Sequence, residues 1–303
     1  MDQSRPTKKW AFDRSRLVVV DGDYRQEYQV RAAPGDAFGT RMELLSDAAG
    51  AFLDAGANVL VTPTDQDVSV GRSGAAATDV VVFSHQCAAA FRACIDRHPR
   101  GSAATLVGAL GPAVELLTLD EIDEAALQST YRARAEALIR AHVDAVICRA
   151  FTELPALLVA IRAVKEVNAD VPVIATMCFD CGPNQTDTAM GVSVPQACEA
   201  LAGLGLVAIG SEGGRSPDTA PAVTTKLAEL TDLPLWATVS PGHPLLEDGR
   251  IVYSDGPKEF AERCKALAMA GATFVGGSAG TTVEHAAAWA SSISSDKRLK
   301  KRA

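Results

Sequence analysis

The sequence predicts an α/β chain folded as a single-domain (β/α)8 TIM barrel. Three observations predict it. Eight short apolar runs recur along the whole chain, a helical segment follows each of them, and several helices end in a glycine that leads straight into the next run. The runs are LVVVDGD (17–23), ANVLVTPT (57–64), TLVGALGP (105–112), VDAVICRA (143–150), VPVIATMC (171–178), LVAIGSE (206–212), LPLWATV (233–239) and ATFVGGS (272–278). Each is nearly continuous in Val, Ile, Leu and Ala, the pattern of a parallel strand covered on both faces.

The intervening helices are expected over 41–55, 75–97, 120–141, 153–168, 193–203, 217–231, 256–270 and 283–293. The first places Met42, Leu45, Ala49 and Phe52 on one face, and the fourth does the same with Leu154, Leu157, Leu158, Ile161 and Val164. Asp120 is read as an N-cap, and Ser193, Ser216-Pro217 and Gly256-Pro257 as helix starts. In DAGANVLV (54–61), AGLGLVAI (202–209) and MAGATFVG (269–276) a glycine past the helix supplies a left-handed C-cap. A doubly wound open sheet also alternates strands and helices, but eight evenly spaced units with tight turns favour closure. The barrel is assigned to 17–293, with a flexible N-terminal tail over 1–16 and a basic C-terminal tail over 294–303, both expected to be solvated.

The chain of 303 residues is long enough for one large barrel, which takes roughly 250 residues. A net charge of −8 excludes a general nucleic-acid binder, which needs a basic face. No apolar run approaches the roughly 20 residues of a membrane helix, and the polar start lacks the core of a secretory signal. The seven scattered cysteines read as reduced thiols, so a cytoplasmic location is expected. The expected partner is a small-molecule ligand, with homo-oligomerisation left open.

In such barrels the chemistry sits at the C-terminal ends of the strands. That directs attention to 21–24, 62–66, 108–113, 148–152, 176–184, 210–215, 238–243 and 276–282. Asp21, Asp23 and Glu212 are the candidate catalytic carboxylates, with Arg149 as substrate anchor and Thr176, Ser240 and His243 as further substrate contacts. Clustered carboxylates also suit Mg2+ or Mn2+, or else a structural ion-pair network. Cys178 and Cys181 form a C-x2-C near Cys148, but alternation along the strand turns Cys148 toward the helices if Arg149 faces the mouth. His85 reads as a packing or solvent-facing residue, His285 as a capping or packing residue, and Gly71-Arg-Ser-Gly74 as either a phosphate cradle or a plain loop.

Two stretches carry a family resemblance. Gly276-Gly-Ser-Ala-Gly-Thr-Thr-Val-Glu-His285 resembles the Gly-Gly-Cys-Cys-Gly-Thr-Thr-Pro-Glu-His signature of homocysteine S-methyltransferases, and Ala175-Thr-Met-Cys-Phe179 is similar to their fifth strand end. VVVDGD (18–23), LVGALGP (106–112) and TDLPLWATVSPGHP (231–244) follow in the family's order, so the resemblance spans roughly 16–293. It implies a barrel in which three cysteines hold a zinc that binds the homocysteine sulfur as thiolate, keeping it nucleophilic at neutral pH. Here the implied ligand positions are Gly213, Ser278 and Ala279, none a competent zinc ligand. The family's fourth-strand Glu, which helps bind the homocysteine amino group, is matched by Arg149, while Asp21 keeps the first-strand carboxylate. No zinc is therefore expected at the family position, and no other cofactor is assigned. The expected function is a zinc-independent enzyme, of methyl-transfer or derived chemistry, on a small anionic substrate. The alternative is a non-catalytic binding or scaffold barrel.

Overall fold

Alternating small and large side chains let eight parallel strands close around a filled interior. The computed structural model describes residues 10, 12–32, 41–65, 77–114, 116–212, 217–247 and 250–302. In chain order the elements are β1 (Val18–Val19), α1 (Tyr24–Arg31), α2 (Met42–Asp54), β2 (Val59–Val61), α3 (Ala77–Arg97), β3 (Thr105–Leu110), α4 (Glu124–Arg140), β4 (Ala145–Phe151), α5 (Leu154–Val167), β5 (Val173–Cys178) and α6 (Val194–Leu201). They continue with β6 (Ala208–Glu212), α7 (Ala220–Leu230), β7 (Leu235–Val239), a hairpin of β8 (Pro244–Glu247) and β9 (Arg250–Tyr253), α8 (Pro257–Met269), β10 (Phe274–Gly277), α9 (Val283–Ser295) and α10 (Lys297–Lys300).

The strand order is β1-β10-β7-β6-β5-β4-β3-β2. The ends of that order meet at a parallel bridge, Val20 to Val59. Asn58 N donates to Val19 O at 2.8 Å and Asp21 N to Val59 O at 3.1 Å across the same seam. The sheet is a (β/α)8 barrel, and β10 is its eighth strand.

Period-two alternation divides the strand side chains into two layers. Val18, Val20, Ala145, Ile147, Trp236 and Phe274 belong to the cluster inside the barrel. Val146, Cys148 and Leu106 belong to the larger cluster against the helices. The expected placement of Cys148 among the helices therefore holds. Trp236 and Phe274 stack at 5.2 Å, and small Ala109 and Ala208 share their layer. Gly210 permits a close approach between β6 and β7 in this wall. A Cβ built there would lie 1.8 Å from the Trp236 carbonyl oxygen. Gly210→Ala is expected to cost at least about 2 kcal/mol by forcing β6 from β7, read from the urea midpoint. Unchanged stability would show that the strands yield freely.

The glycine stops behave as expected, with Gly56, Gly203 and Gly271 all at positive φ. Ser193 caps α6 in a reciprocal box with Gln196. Other expectations need correction. Asp120 is not the N-cap of α4: it sits at φ 55° ending a 3-10 turn, and Asp123 accepts from Ala126 N at 2.8 Å to open α4 instead. Helix α7 starts at Ala220, since Pro217 lies in a turn before it. Helix α1 and the β8–β9 hairpin were not anticipated. Among the described residues no helix is long and apolar enough to cross a membrane.

The described parts of the ends are anchored at a few residues, although Asp13, Ser15, Arg16 and most of 294–301 stay exposed as expected of solvated tails. Trp10 and Phe12 pack against Phe274 at ring distances of 5.6 and 5.2 Å, under the barrel interior. Beyond α9, Leu299 of α10 is buried. Arg302 donates to the Ala268, Ala272 and Arg14 carbonyls, and Leu17 N donates to Arg302 O. A basic composition concealed this, because the arginine is spent on helix-end and loop carbonyls that need donors.

Candidate functional site

Strand β4 leaves regular geometry where it reaches the mouth. Its pairing with β5 shifts register between Cys148 and Phe151. Ala150, between them, adopts φ 60°, a left-handed conformation costly for a residue with a Cβ. Ala150 N is taken by the Thr176 hydroxyl on β5 at 3.2 Å. The irregularity falls beside Arg149 and re-aims the strand end, the usual role of a bulge next to a site.

Arg149 Nη2 donates to Glu212 Oε2, at the end of β6, at 2.8 Å. Its Nε lies 3.5 Å from Asp65 Oδ2, just past β2. Glu212 also accepts from the Thr176 hydroxyl at 3.3 Å and from the Thr238 hydroxyl of β7. The three charged side chains are only 4–16% exposed. Burial works against the guanidinium charge, but Glu212 and Asp65, with Asp21 farther off, outweigh it and hold Arg149 above its ordinary pKa. Glu212 is thus fixed by three donors from three strands, whereas Asp65 holds Arg149 loosely.

Asp21 plays a different part. Its Oδ2 accepts from Val61 N and from the Tyr24 hydroxyl, both at 2.7 Å, so the carboxylate continues the β1–β2 seam where a carbonyl would serve. Burial pushes its pKa up to about 7, against the lowering pull of Tyr24, Val61 and Arg149. The sign follows from linkage. The stability carried by protonated Asp21 is fully present below the ordinary value of 3.8 and is lost as pH rises through about 7. From pH 5 to pH 8 the protein is expected to lose stability on the order of 3 kcal/mol through this group, and Asp21→Asn to flatten that part of the profile. Urea titrations at four pH values check this. Equal slopes in both proteins would reject it.

Asp23 caps α1 through Arg25 N at 2.9 Å and ties down Gly280 N at 2.8 Å. Both of its oxygens are thus engaged in joining the first and last βα loops. Asp23, Asp65, Arg149, Ser278 and Ala279 all line one cavity of about 50 Å3 at the mouth. His243 and Ser240 lie away from it. His243 is exposed and meets Asp218 at 3.1 Å, while buried Ser240 donates to the Gly242 carbonyl at 2.8 Å. Gly213 and the 71–74 stretch lie outside the described residues. Among the described residues, no three of His, Cys, Asp and Glu are placed together to hold a metal ion. Cys178 and Cys181 thus gain no third such ligand there.

A homocysteine S-methyltransferase family model matches residues 18–293, nearly the whole barrel. The chain belongs to the homocysteine S-methyltransferase family. It is 25% identical over 198 residues to a methionine synthase of Mycobacterium tuberculosis (strain ATCC 25618 / H37Rv). That match covers 64% of this chain and 16% of the relative, so the chain corresponds to a small part of that protein. The fold is similar to the homocysteine methyltransferase MmuM of Escherichia coli. Its apo form gives a TM-score of 0.72 at 18% identity, over 91% of this chain and 95% of that one. Its metallated form gives 0.72 at 19%, over 91% and 96%.

Within this homocysteine S-methyltransferase barrel, two members of the Arg149 cluster escaped sequence reasoning. Asp65 and Thr238 both stand in strand-end stretches already marked for attention, 62–66 and 238–243. Strand-end position was the signal that could have found them. Which side chains turn inward there depends on local backbone, and Asp65 stands past the last paired residue of β2.

Proposed function

We propose that the chain is a zinc-independent enzyme of methyl-transfer ancestry, acting at the barrel mouth on a small molecule with an anionic group. The observation that carries this reading is the buried Arg149, held firmly by Glu212 and loosely by Asp65. Burying three charges is expensive, and a barrel retained only for its shape gains nothing from that expense. Clusters of this kind at strand ends mark working sites.

The exchangeable partner is Asp65. A substrate carboxylate that displaces it takes the Nε side of Arg149 while Glu212, Thr176 and Thr238 keep the guanidinium in place. Asp65 is then released toward the ligand and is the candidate base. Zinc does not fit the residues at the family positions: Ala279 has no donor atom, and Ser278 offers a hydroxyl that ionises too poorly to replace a thiolate. The purified protein is expected to carry well under one zinc per chain by elemental analysis. One equivalent, lost on Ser278→Ala, would overturn the zinc-independent reading.

Thermal-shift screening across small acids, thiols and methyl donors tests the site itself. A small carboxylate is expected to stabilise the protein, and Asp65→Asn to tighten that carboxylate about tenfold by removing its competitor. Weaker binding to Asp65→Asn would reverse the assignment. The second reading, a non-catalytic scaffold, draws on the cavity of about 50 Å3, which has room for water but not for a metabolite. Absence of any ligand-induced shift would favour it.

A further inference from the structure

The pole opposite the mouth holds a larger cavity, of about 700 Å3, within the range of small-molecule sites. It is bordered by the starts of β1 and β3, and by Asp144 just before β4. Trp10 and Phe12 form part of its wall, together with apolar residues of β1 and α9.

Four charged side chains line it, and their partners decide its character. Asp144 is already matched: it meets Arg92 at 2.8 Å and accepts from Leu106 N at 2.7 Å. Asp54 meets His98 at 3.1 Å and stands largely in solvent, its side chain 79% exposed. The two cations are different. Arg100 donates to a neutral group, the Leu53 carbonyl at 2.8 Å. Among the described residues, neither Arg100 nor Arg16 has a carboxylate within ion-pair distance. In a chain of net charge −8, this cavity joins an aromatic and aliphatic wall to two solvent-exposed arginines, Arg16, whose charge acts on Asp13 from beyond ion-pair distance, and Arg100, which has no carboxylate at that distance.

We propose that this cavity at the N-terminal pole is a second binding site, for a small aromatic anion. The ring lies against Trp10, Phe12 and the apolar wall, and the anionic group, carboxylate or phosphate, pairs with Arg16 and Arg100. The site is independent of the mouth and needs none of its residues.

Isothermal titration calorimetry of the full chain tests it with indole-3-acetate, with tryptamine as the same ring carrying the opposite charge, and with adenosine monophosphate as the phosphate arm. At least one of the two anions is expected to bind saturably with Kd of about 1 mM or tighter, and tryptamine at least about tenfold more weakly. Arg16→Glu is expected to weaken the anion at least about tenfold, while Arg16→Lys stays within about twofold. Asp65→Asn at the mouth is expected to leave this binding unchanged, which separates it from carboxylate binding beside Arg149. The proposal is overturned if neither anion saturates by about 10 mM, if tryptamine binds as well as the anions, or if Arg16→Glu has no effect while Asp65→Asn does.

Discussion

Homocysteine offered with betaine, S-methylmethionine or methylfolate is expected to give no methionine above the protein-free level. Two independent changes lead to this. Ser278 and Ala279 cannot bind zinc as cysteines do, so the homocysteine sulfur would stay a thiol at neutral pH. Arg149 stands where the family resemblance implies a carboxylate for the amino group, and an opposite charge there is worth about 4 kcal/mol at 4 Å in a partly buried site. Its pairing with Glu212 and Asp65 softens the repulsion of an ammonium but supplies no carboxylate in the family's position. Arg149→Glu alone is expected to restore nothing. Gly213→Cys, Ser278→Cys and Ala279→Cys combined with Arg149→Glu is the constructive version, read first by zinc content and then by methionine formed. An ordinary rate from the unmodified protein would refute the roles given to both changes.

Arg149→Met is expected to destabilise the barrel by about 3–5 kcal/mol, because it leaves the buried Glu212 carboxylate without its cation. Much of that cost belongs to the stranded partner. Arg149→Met with Glu212→Gln is therefore expected to recover more than half of the loss, since the charge goes with the cation, the carboxamide oxygen still accepts from one of the Thr176 and Thr238 hydroxyls, and the other hydroxyl can accept from the new NH2 group. A double-mutant cycle by urea unfolding reads the coupling. Simple additivity of the two single changes would mean that the pair is not energetically coupled. Asp65→Asn, on the loose side of the guanidinium, is expected to cost far less than Glu212→Gln.

The barrel was readable because its rules are local. A continuous apolar run, a helix of suitable face and a glycine stop such as Gly56 or Gly271 each leave a mark within about ten residues. The site was only half readable, because its deciding features are not local. Strand-end position pointed to Asp21, Arg149, Thr176 and Glu212, and the last three meet in one cluster. Nothing in Cys148-Arg149-Ala150-Phe151 announces a left-handed residue, since alanine lacks the bias of glycine or asparagine. Nor does composition say that Asp23 would be consumed as a helix cap, or that His243 would turn outward to Asp218. Asp120 was the expected cap of α4, but the turn at Leu117–Leu119 ends on it and leaves the cap to Asp123.

The seam between β1 and β2 gives the cylinder a preferred way to breathe. Adjacent strands elsewhere are joined through registers of up to five residue pairs, as between β5 and β6. The seam has one bridge, and beyond it the Val61 amide is secured only by the Asp21 side chain. Mechanically this is a ring with a latch, not a uniform hoop. Opening is expected to start at the latch, with the Val61 amide exchanging with deuterium ahead of the amides within β5 and β6. Because burial pushes the Asp21 pKa up to about 7, opening at the latch is expected to become more frequent as pH rises through that value. Val61 lines the same mouth cavity as Arg149, so the latch stands at the edge of that interior.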